Sequence, residues 1–301
     1  MPLAAAPNLD PAAIARLAGL ELRARHVVDG YLAGRRRSRR RGQSVEFAEH
    51  REYVPGDDPR YVDWKAFGKT DRMLLKQFEA ETNLVCTLAV DVSESMRFRS
   101  AQAALSKFDY GACLATALAL LVYEQRDSVG LFTFDDRVRD SVPISANPND
   151  LAQIAWTLER SAVARQSRFK DAFDEIADRQ RRRSVTVVVS DLLADPAATL
   201  EGLKHLHYRR HEVLVLHVLD PAEIEFPFER ATRFQGLEAL PEVQVEPAGV
   251  RRAYRAALQR YLDRLQAGCR DAQIDYELCR TDEPLDAPLR RLLTRRAVHG
   301  G

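Results

Sequence analysis

The sequence predicts an α/β domain, a doubly wound and mostly parallel sheet flanked by helices, with an N-terminal lobe before it. Three observations predict it. From residue 84 onward, short β-rich runs alternate with longer stretches of helical period. Four of the runs, "LVCTLAV" (84–90), "SVGLFTF" (128–134), "SVTVVVS" (184–190) and "EVLVLHVL" (212–219), are apolar almost without a break, as strands covered on both faces are. Residues 1–83 do not follow that rhythm.

Taken in order, the first 83 residues offer one helix near 10–33, the arginine run "GRRRSRRRGQ", and a polar passage from "SVEFAEH" to "KQFEAET". That passage is too rich in aromatic residues for a linker, so residues 1–83 read as a packed lobe and 84–301 as the α/β domain. Within the domain, helices are expected near 100–125, 148–160, 168–182, 197–209, 248–271 and 285–296. "VRDSVPI" (138–144) follows the second strand after the turn "DDR" and is expected to fold back as an antiparallel edge strand. "TRFQGLEALPEVQVEP" (232–247) reads as a hairpin or an irregular excursion, and "IDYELCR" (274–280) as the last strand.

Composition narrows function. The 301 residues are 46% apolar, enough for a sizeable core. Lys and Arg number 45 against 44 Asp and Glu, so no global field draws in nucleic acid or membrane, and any electrostatic function is local. Cys86, Cys113, Cys269 and Cys279 sit at no metal-knuckle spacing and read as buried, reduced thiols. The N-terminus lacks the charge pattern of a signal peptide. The longest apolar run, "ACLATALALLVY", falls short of the ~20 residues of a spanning helix. A cytoplasmic protein without a transmembrane segment is therefore expected. Nucleotide-binding glycine loops and HExxH are absent, and His205, His207, His211 and His217 are scattered over a helix end and a strand.

The stretch "VCTLAVDVSESMRF" carries the chemistry. In open α/β sheets, ligands collect beyond the carboxyl ends of the strands. Asp91 stands at such an end, with Ser93 and Ser95 following on a bent loop. Two readings stand. Asp and Ser are good helix caps and can serve the next helix. An oxygen-only set also suits a hard cation such as Mg²⁺. Asp191, at the end of "SVTVVVS", comes to the same rim, and Ser167 lies in the loop "ARQSRFKDAF" before a helix. A second carboxylate and a third hydroxyl are more than a cap requires.

This pattern resembles the metal-ion-dependent adhesion site (MIDAS) of von Willebrand factor type A domains, in which a partner's acidic side chain completes the Mg²⁺ shell. The resemblance implies Asp91, Ser93, Ser95, Ser167 and Asp191 as ligands of Mg²⁺, with Mn²⁺ or Ca²⁺ as alternatives. Ser167 departs from it, threonine being usual there. The passage "GQSVEFAEHREYVPGDDPRYVDWKAFGKTDRMLLKQFEAE", followed at once by the DxSxS strand, resembles the family called domain of unknown function 58, from about residue 25 to 296. That resemblance implies an A-type domain with a lobe before it, cytoplasmic or membrane-attached, and implies no known reaction; a non-enzymatic protein-binding module is expected. Its implied partner is a MoxR-type AAA+ ATPase, in the assembly or activation of protein complexes.

Beside the resemblance, "VPGDD" is turn chemistry, and the Arg60 guanidinium suits bidentate pairing with Asp57, Asp58 or Asp63. With Tyr53 and Trp64 these residues form either a clasp between lobe and domain or a partner-binding surface. The six arginines of Arg35–Arg41 read as an exposed loop, or a contact for an acidic protein; nucleic acid is disfavoured because no aromatic residue is interleaved for stacking. The expected function is metal-gated capture of an acidic residue of a client or of the ATPase. The alternative is a metal-dependent hydrolase, for which Glu94 is the only nearby candidate base.

Overall fold

The computed structural model describes residues 11–39, 50–52, 64, 67–68, 72–76, 84–163, 169–180, 182–209, 211–229, 232–234 and 243–299. Two compact units divide the chain, Met1–Gly34 with Leu84–Gly301, and Arg35–Asn83. In the smaller unit, β1 (His50–Glu52) pairs antiparallel with β2 (Leu74–Lys76). Trp64 stands edge-on to Phe67 and is exposed.

The larger unit is built on six strands: β3 (Val85–Asp91), β4 (Ser128–Phe134), β5 (Val138–Ser145), β6 (Val185–Ser190), β7 (Glu212–Leu219) and β10 (Asp275–Arg280). Their order across the sheet is β10-β7-β6-β3-β4-β5. Every neighbouring pair is parallel except β4 and β5, so the strand expected at the antiparallel edge is there. The excursion between β7 and the long helix holds the short antiparallel pair β8 (Thr232–Phe234) and β9 (Val243–Val245).

The expected single N-terminal helix is two. α1 (Pro11–Ala15) and α2 (Leu20–Arg39) are separated by a turn in which Gly19 takes φ 78°, a left-handed conformation that glycine adopts without a Cβ clash. α2 runs on through Arg39, so Arg35–Arg39 are helical, where an exposed loop was expected. Arginine is a good helix former, and cations at a helix C-terminus complement the macrodipole. Arg40 and Arg41 lie outside the described residues.

Helices cover both faces of the sheet. On one face α3 (Lys107–Glu124), α4 (Leu151–Arg160) and α9 (Asp286–His299) pack with Ile14, Leu20, Val27, Val28 and Tyr31 of the first two helices. The α/β unit therefore recruits the start of the chain into its core. On the other face lie α5 (Phe169–Arg179), α6 (Pro196–Tyr208) and α8 (Pro247–Asp271). α7 (Pro221–Glu225) is a single turn beyond β7. The four cysteines are buried and none is in a disulfide. Among the described residues, no helix is long and apolar enough to cross a membrane.

α3 decides how the rim is built. Its residues are buried almost throughout, and a Cβ on Gly111 would stand 2.8 Å from the Val189 side chain of β6. Glycine there lets the helix lie close on the sheet. Lys107 is one turn earlier on the same helix face, and Asp191 is two residues beyond Val189, on the same side of the strand. Close packing at Gly111 thus aims the first residue of α3 at the carboxyl end of β6.

Candidate metal centre

β3 pairs with β4 on one side and β6 on the other. The chain passes from β3 to β4 in one direction and returns to β6 in the other, so the gap between β3 and β6 is the switch point at which α/β sheets open a crevice. Asp91 and Asp191 stand at the two strand ends that flank it, both fully buried.

The loop after β3 turns back at once. Asp91 Oδ1 accepts from the Ser93 backbone N–H (2.8 Å), and the Ser93 and Ser95 hydroxyls meet at 3.1 Å. Residues Glu94–Arg97 form one 3₁₀ turn for which Ser93 occupies the capping position without making a side-chain cap bond. α3 is capped instead by Ser106, whose hydroxyl accepts from Asp109 N–H. The helix-cap reading of Asp91, Ser93 and Ser95 thus loses its helix. These side chains are turned toward one another and are all buried.

Asp91 Oδ2 accepts from the Ser190 hydroxyl at 2.5 Å, and that hydroxyl accepts from Leu192 N–H at 2.9 Å. Burial, and then repulsion from Asp191, push the Asp91 carboxyl up to about 7, against the pull of the Ser190 and Ser93 hydrogen bonds. Asp191 is occupied differently. Its Oδ1 accepts from Leu193 N–H (3.2 Å) and its Oδ2 from the Lys107 ammonium (2.7 Å). Lys107 also donates to Glu223 Oε1 at 2.6 Å and is fully buried. Burial alone would lower the Lys107 pKa, but Asp191 and Glu223 outweigh it and hold the ammonium charged. The Glu223 carboxyl is raised by its own burial, against the pull of Lys107.

A third strand-end acid shows what a cap looks like here. Asp220, beyond β7, accepts from Ala222 N–H (2.8 Å) and its own N–H is bonded by Glu223 (2.8 Å), a reciprocal capping box for α7. Its second oxygen accepts from Ser100 N–H at 2.9 Å and fixes the loop that leads to α3. Beneath the rim His217 bridges the Asp191 carbonyl (2.7 Å) and the Tyr276 hydroxyl (2.6 Å). A carbonyl only accepts, so Nε2 carries the proton and Nδ1 accepts from Tyr276. Burial lowers the His217 pKa to about 4.

The structure therefore brings together four of the five expected ligands, Asp91, Ser93, Ser95 and Asp191. Ser167 lies outside the described residues, as do Tyr53, Asp57, Asp58, Arg60 and Asp63 of the lobe. Sequence reasoning missed Lys107, Ser190 and Glu223. The sequence offered no signal for Lys107, because the helical pattern reads from about residue 100 and hides that Lys107 is the first residue of α3. The donor set holds carboxylates and hydroxyls without sulfur, which fits a hard cation in chemical kind. Among the described residues no group of three or more His, Cys, Asp or Glu side chains is placed to hold a metal. A cation would thus depend on the serine hydroxyls and on water.

α8 is tied to this rim along one face. Tyr261 OH donates to the Leu192 carbonyl, Tyr254 OH to the Glu223 carbonyl (2.9 Å) and Arg251 to the Phe228 carbonyl (2.5 Å). At its N-terminal end Ala248, Arg251, Arg252 and Arg255 line a cavity of about 400 Å³.

Residues 49–263 match the model of a protein family described as DUF58, protein of unknown function. The chain belongs to that family. Relatives named as uncharacterized proteins of Mycobacterium bovis and Mycobacterium tuberculosis are 29% identical over 244 residues, covering 79% of this chain and 76% of theirs. Solved structures with a similar fold include the conserved hypothetical protein BatB from Bacteroides thetaiotaomicron, at 15% identity and TM-score 0.49, covering 71% of this chain and 98% of that one. Another is the SpRpn10 VWA domain, at 13% identity and TM-score 0.40, covering 69% and 94%.

Proposed function

We propose that this DUF58 protein is a non-enzymatic protein-interaction module whose sheet rim holds a divalent cation, Mg²⁺ in the first instance, and through it an acidic side chain of a partner. The observation that carries the reading is the Asp91–Ser93–Ser95 cluster. Its hydroxyls serve no helix, and its carboxylate faces a second carboxylate across the switch point. Asp91, Ser93, Ser95 and Asp191 would hold the ion, with Ser167 as a further candidate. A cation held largely by neutral hydroxyls and water keeps positive charge for an incoming carboxylate.

Binding is favoured over hydrolysis because the titratable groups described at the rim are already committed. His217 spends both ring nitrogens, Lys107 is shared by two carboxylates, and Asp91 keeps its proton to near neutrality. Neither His217 nor Lys107 is free to act as a general base, and Asp91, whose carboxyl titrates in the right range for one, is assigned here to the cation instead. The arginines along the cavity at the start of α8, a helix bonded to the rim, supply charge for an acidic segment around the captured residue. The partner we propose is a MoxR-type AAA+ ATPase, and the place of action the cytoplasm.

The test is a double-mutant cycle. Affinity for a MoxR-type ATPase from the same organism is measured in Mg²⁺ and in chelator, for the parent and Asp91→Ala, against ATPase variants in which single surface Asp or Glu residues become Asn or Gln. One acid-to-amide change should cost as much as chelator, and no more when combined with Asp91→Ala. Additive losses, or binding indifferent to chelator, would sink the reading.

A further inference from the structure

α3 brings a cation to the rim at the end of a helix where the macrodipole disfavours one. Lys107 is the first residue of α3, its side chain has no exposure, and its ammonium lies 2.7 Å from Asp191 and 2.6 Å from Glu223, with the Phe98 ring 5.8 Å away. Two anions around one buried ammonium are an arrangement the fold has built deliberately. Gly111 permits the close helix, Asp220 fixes the loop before it, and the capping box places Glu223.

We infer that Lys107 is the resident cation of the rim and that, by holding Asp191, it restrains the affinity of the Asp91–Ser93–Ser95 site for a divalent ion. The inference rests on the metal-dependent reading proposed above. Two arguments give the sign. Positive charge beside Asp191 repels a second cation approaching Asp91, and a buried site transmits that repulsion with little screening. Asp191 Oδ2 is committed to the ammonium and Oδ1 to Leu193 N–H, so an incoming ion must share Asp191 or reach it through water. Glu223 acts in the opposite sense. It takes a share of the ammonium, and without it Lys107 would bear on Asp191 alone. Lys107 is thus a positioning residue that sets how readily the site fills, and Glu223 is the counterweight.

The experiment measures Mn²⁺ binding to the full chain by electron paramagnetic resonance of the free ion, with Mg²⁺ as competitor. Lys107→Met should tighten Mn²⁺ binding by about tenfold or more, the order expected when a unit charge is removed near a divalent ion. Glu223→Gln, which keeps an oxygen to accept from Asp220 N–H, should weaken it. Lys107→Met also strands Asp191, so its melting temperature is expected to fall in chelator and to rise with Mn²⁺ by more than the parent's does. Unchanged or weaker binding by Lys107→Met, or tighter binding by Glu223→Gln, would overturn the inference. Should Lys107→Met not fold, the direction of Glu223→Gln decides alone. Equal binding by all three chains defeats only the role of Lys107, whereas no binding by any of them defeats the metal-dependent reading as well.

Discussion

Replacing Asp91 with asparagine should stabilise the protein in the absence of divalent ions. The carboxyl titrates at about 7 in the folded chain against an ordinary value of 3.8. Between those values the folded chain keeps a proton that the unfolded chain has lost, so stability falls as pH rises through the window and levels off above it. At about 1.4 kcal/mol for each pH unit, the ionised Asp91 costs the fold about 4 kcal/mol at pH 8. Asparagine has the same shape and no charge. It still accepts from Ser93 N–H, but must donate to the Ser190 hydroxyl where the carboxylate accepted, and the rearranged hydrogen bond costs about 1 kcal/mol. The net gain expected for Asp91→Asn at pH 8 is about 2–3 kcal/mol, shrinking toward pH 4.

Urea unfolding of both chains at pH 5 and pH 8, in chelator and in millimolar Mg²⁺, checks this. The difference between the two chains isolates Asp91 from the other titrating groups. In Mg²⁺ the order should narrow or reverse, because an ion bound to the folded parent stabilises it by about 2.7 kcal/mol at a hundredfold excess over its Kd while the variant gains nothing. A variant less stable than the parent at pH 8 in chelator would refute the repulsion argument. A variant that keeps the Mg²⁺ response would refute Asp91 as a ligand.

Two more outcomes are expected. A chain beginning at Leu84 loses Ile14, Leu20, Val27, Val28 and Tyr31 from the core, at about 1.5–3 kcal/mol for each large side chain, a sum comparable with a whole domain's stability. It should aggregate and bind a hydrophobic dye, and a monomer with the parent melting temperature would show that the first helices are dispensable. His217 should remain neutral, protonated at Nε2, down to about pH 4, as read by nitrogen-15 shifts of the ring. Because its folded pKa lies below the usual 6.5, it adds stability that is lost as pH falls from 6.5 toward 4. Titration near 6.5 in the folded protein would contradict its burial between Asp191 and Tyr276.

The sheet was legible because strands buried on both faces leave unbroken apolar runs, and "SVTVVVS" and "EVLVLHVL" became β6 and β7 within a residue of their expected ends. The start of α3 was not. The helical pattern reads from about residue 100, but the chain spends residues 94–106 on a 3₁₀ turn and a loop pinned by Asp220 before Ser106 caps the helix. Asp91 and Asp191 were legible as strand ends, since topology alone sends both to the switch point. Their different environments were not, because Lys107 and Glu223 come from elements whose own sequence gives no sign of facing Asp191. Nor could the pattern tell Asp220, which caps a helix, from Asp91, which caps none.

That contrast explains why the rim is unbalanced at one place. Backbone N–H groups at the start of α7 and from Ser100 satisfy Asp220. An ammonium satisfies Asp191 and Glu223 jointly, one positive charge against two negative. Asp91 receives a hydroxyl and one N–H but no cation, and Asp191 stands close enough to disfavour its ionisation. Counting Asp91, Asp191 and Glu223 against Lys107 leaves two negative charges when all are ionised. A proton on Asp91 relieves them in the folded chain. On the metal-dependent reading proposed above, a divalent ion would compete with that proton, so its affinity is expected to fall as pH drops below 7.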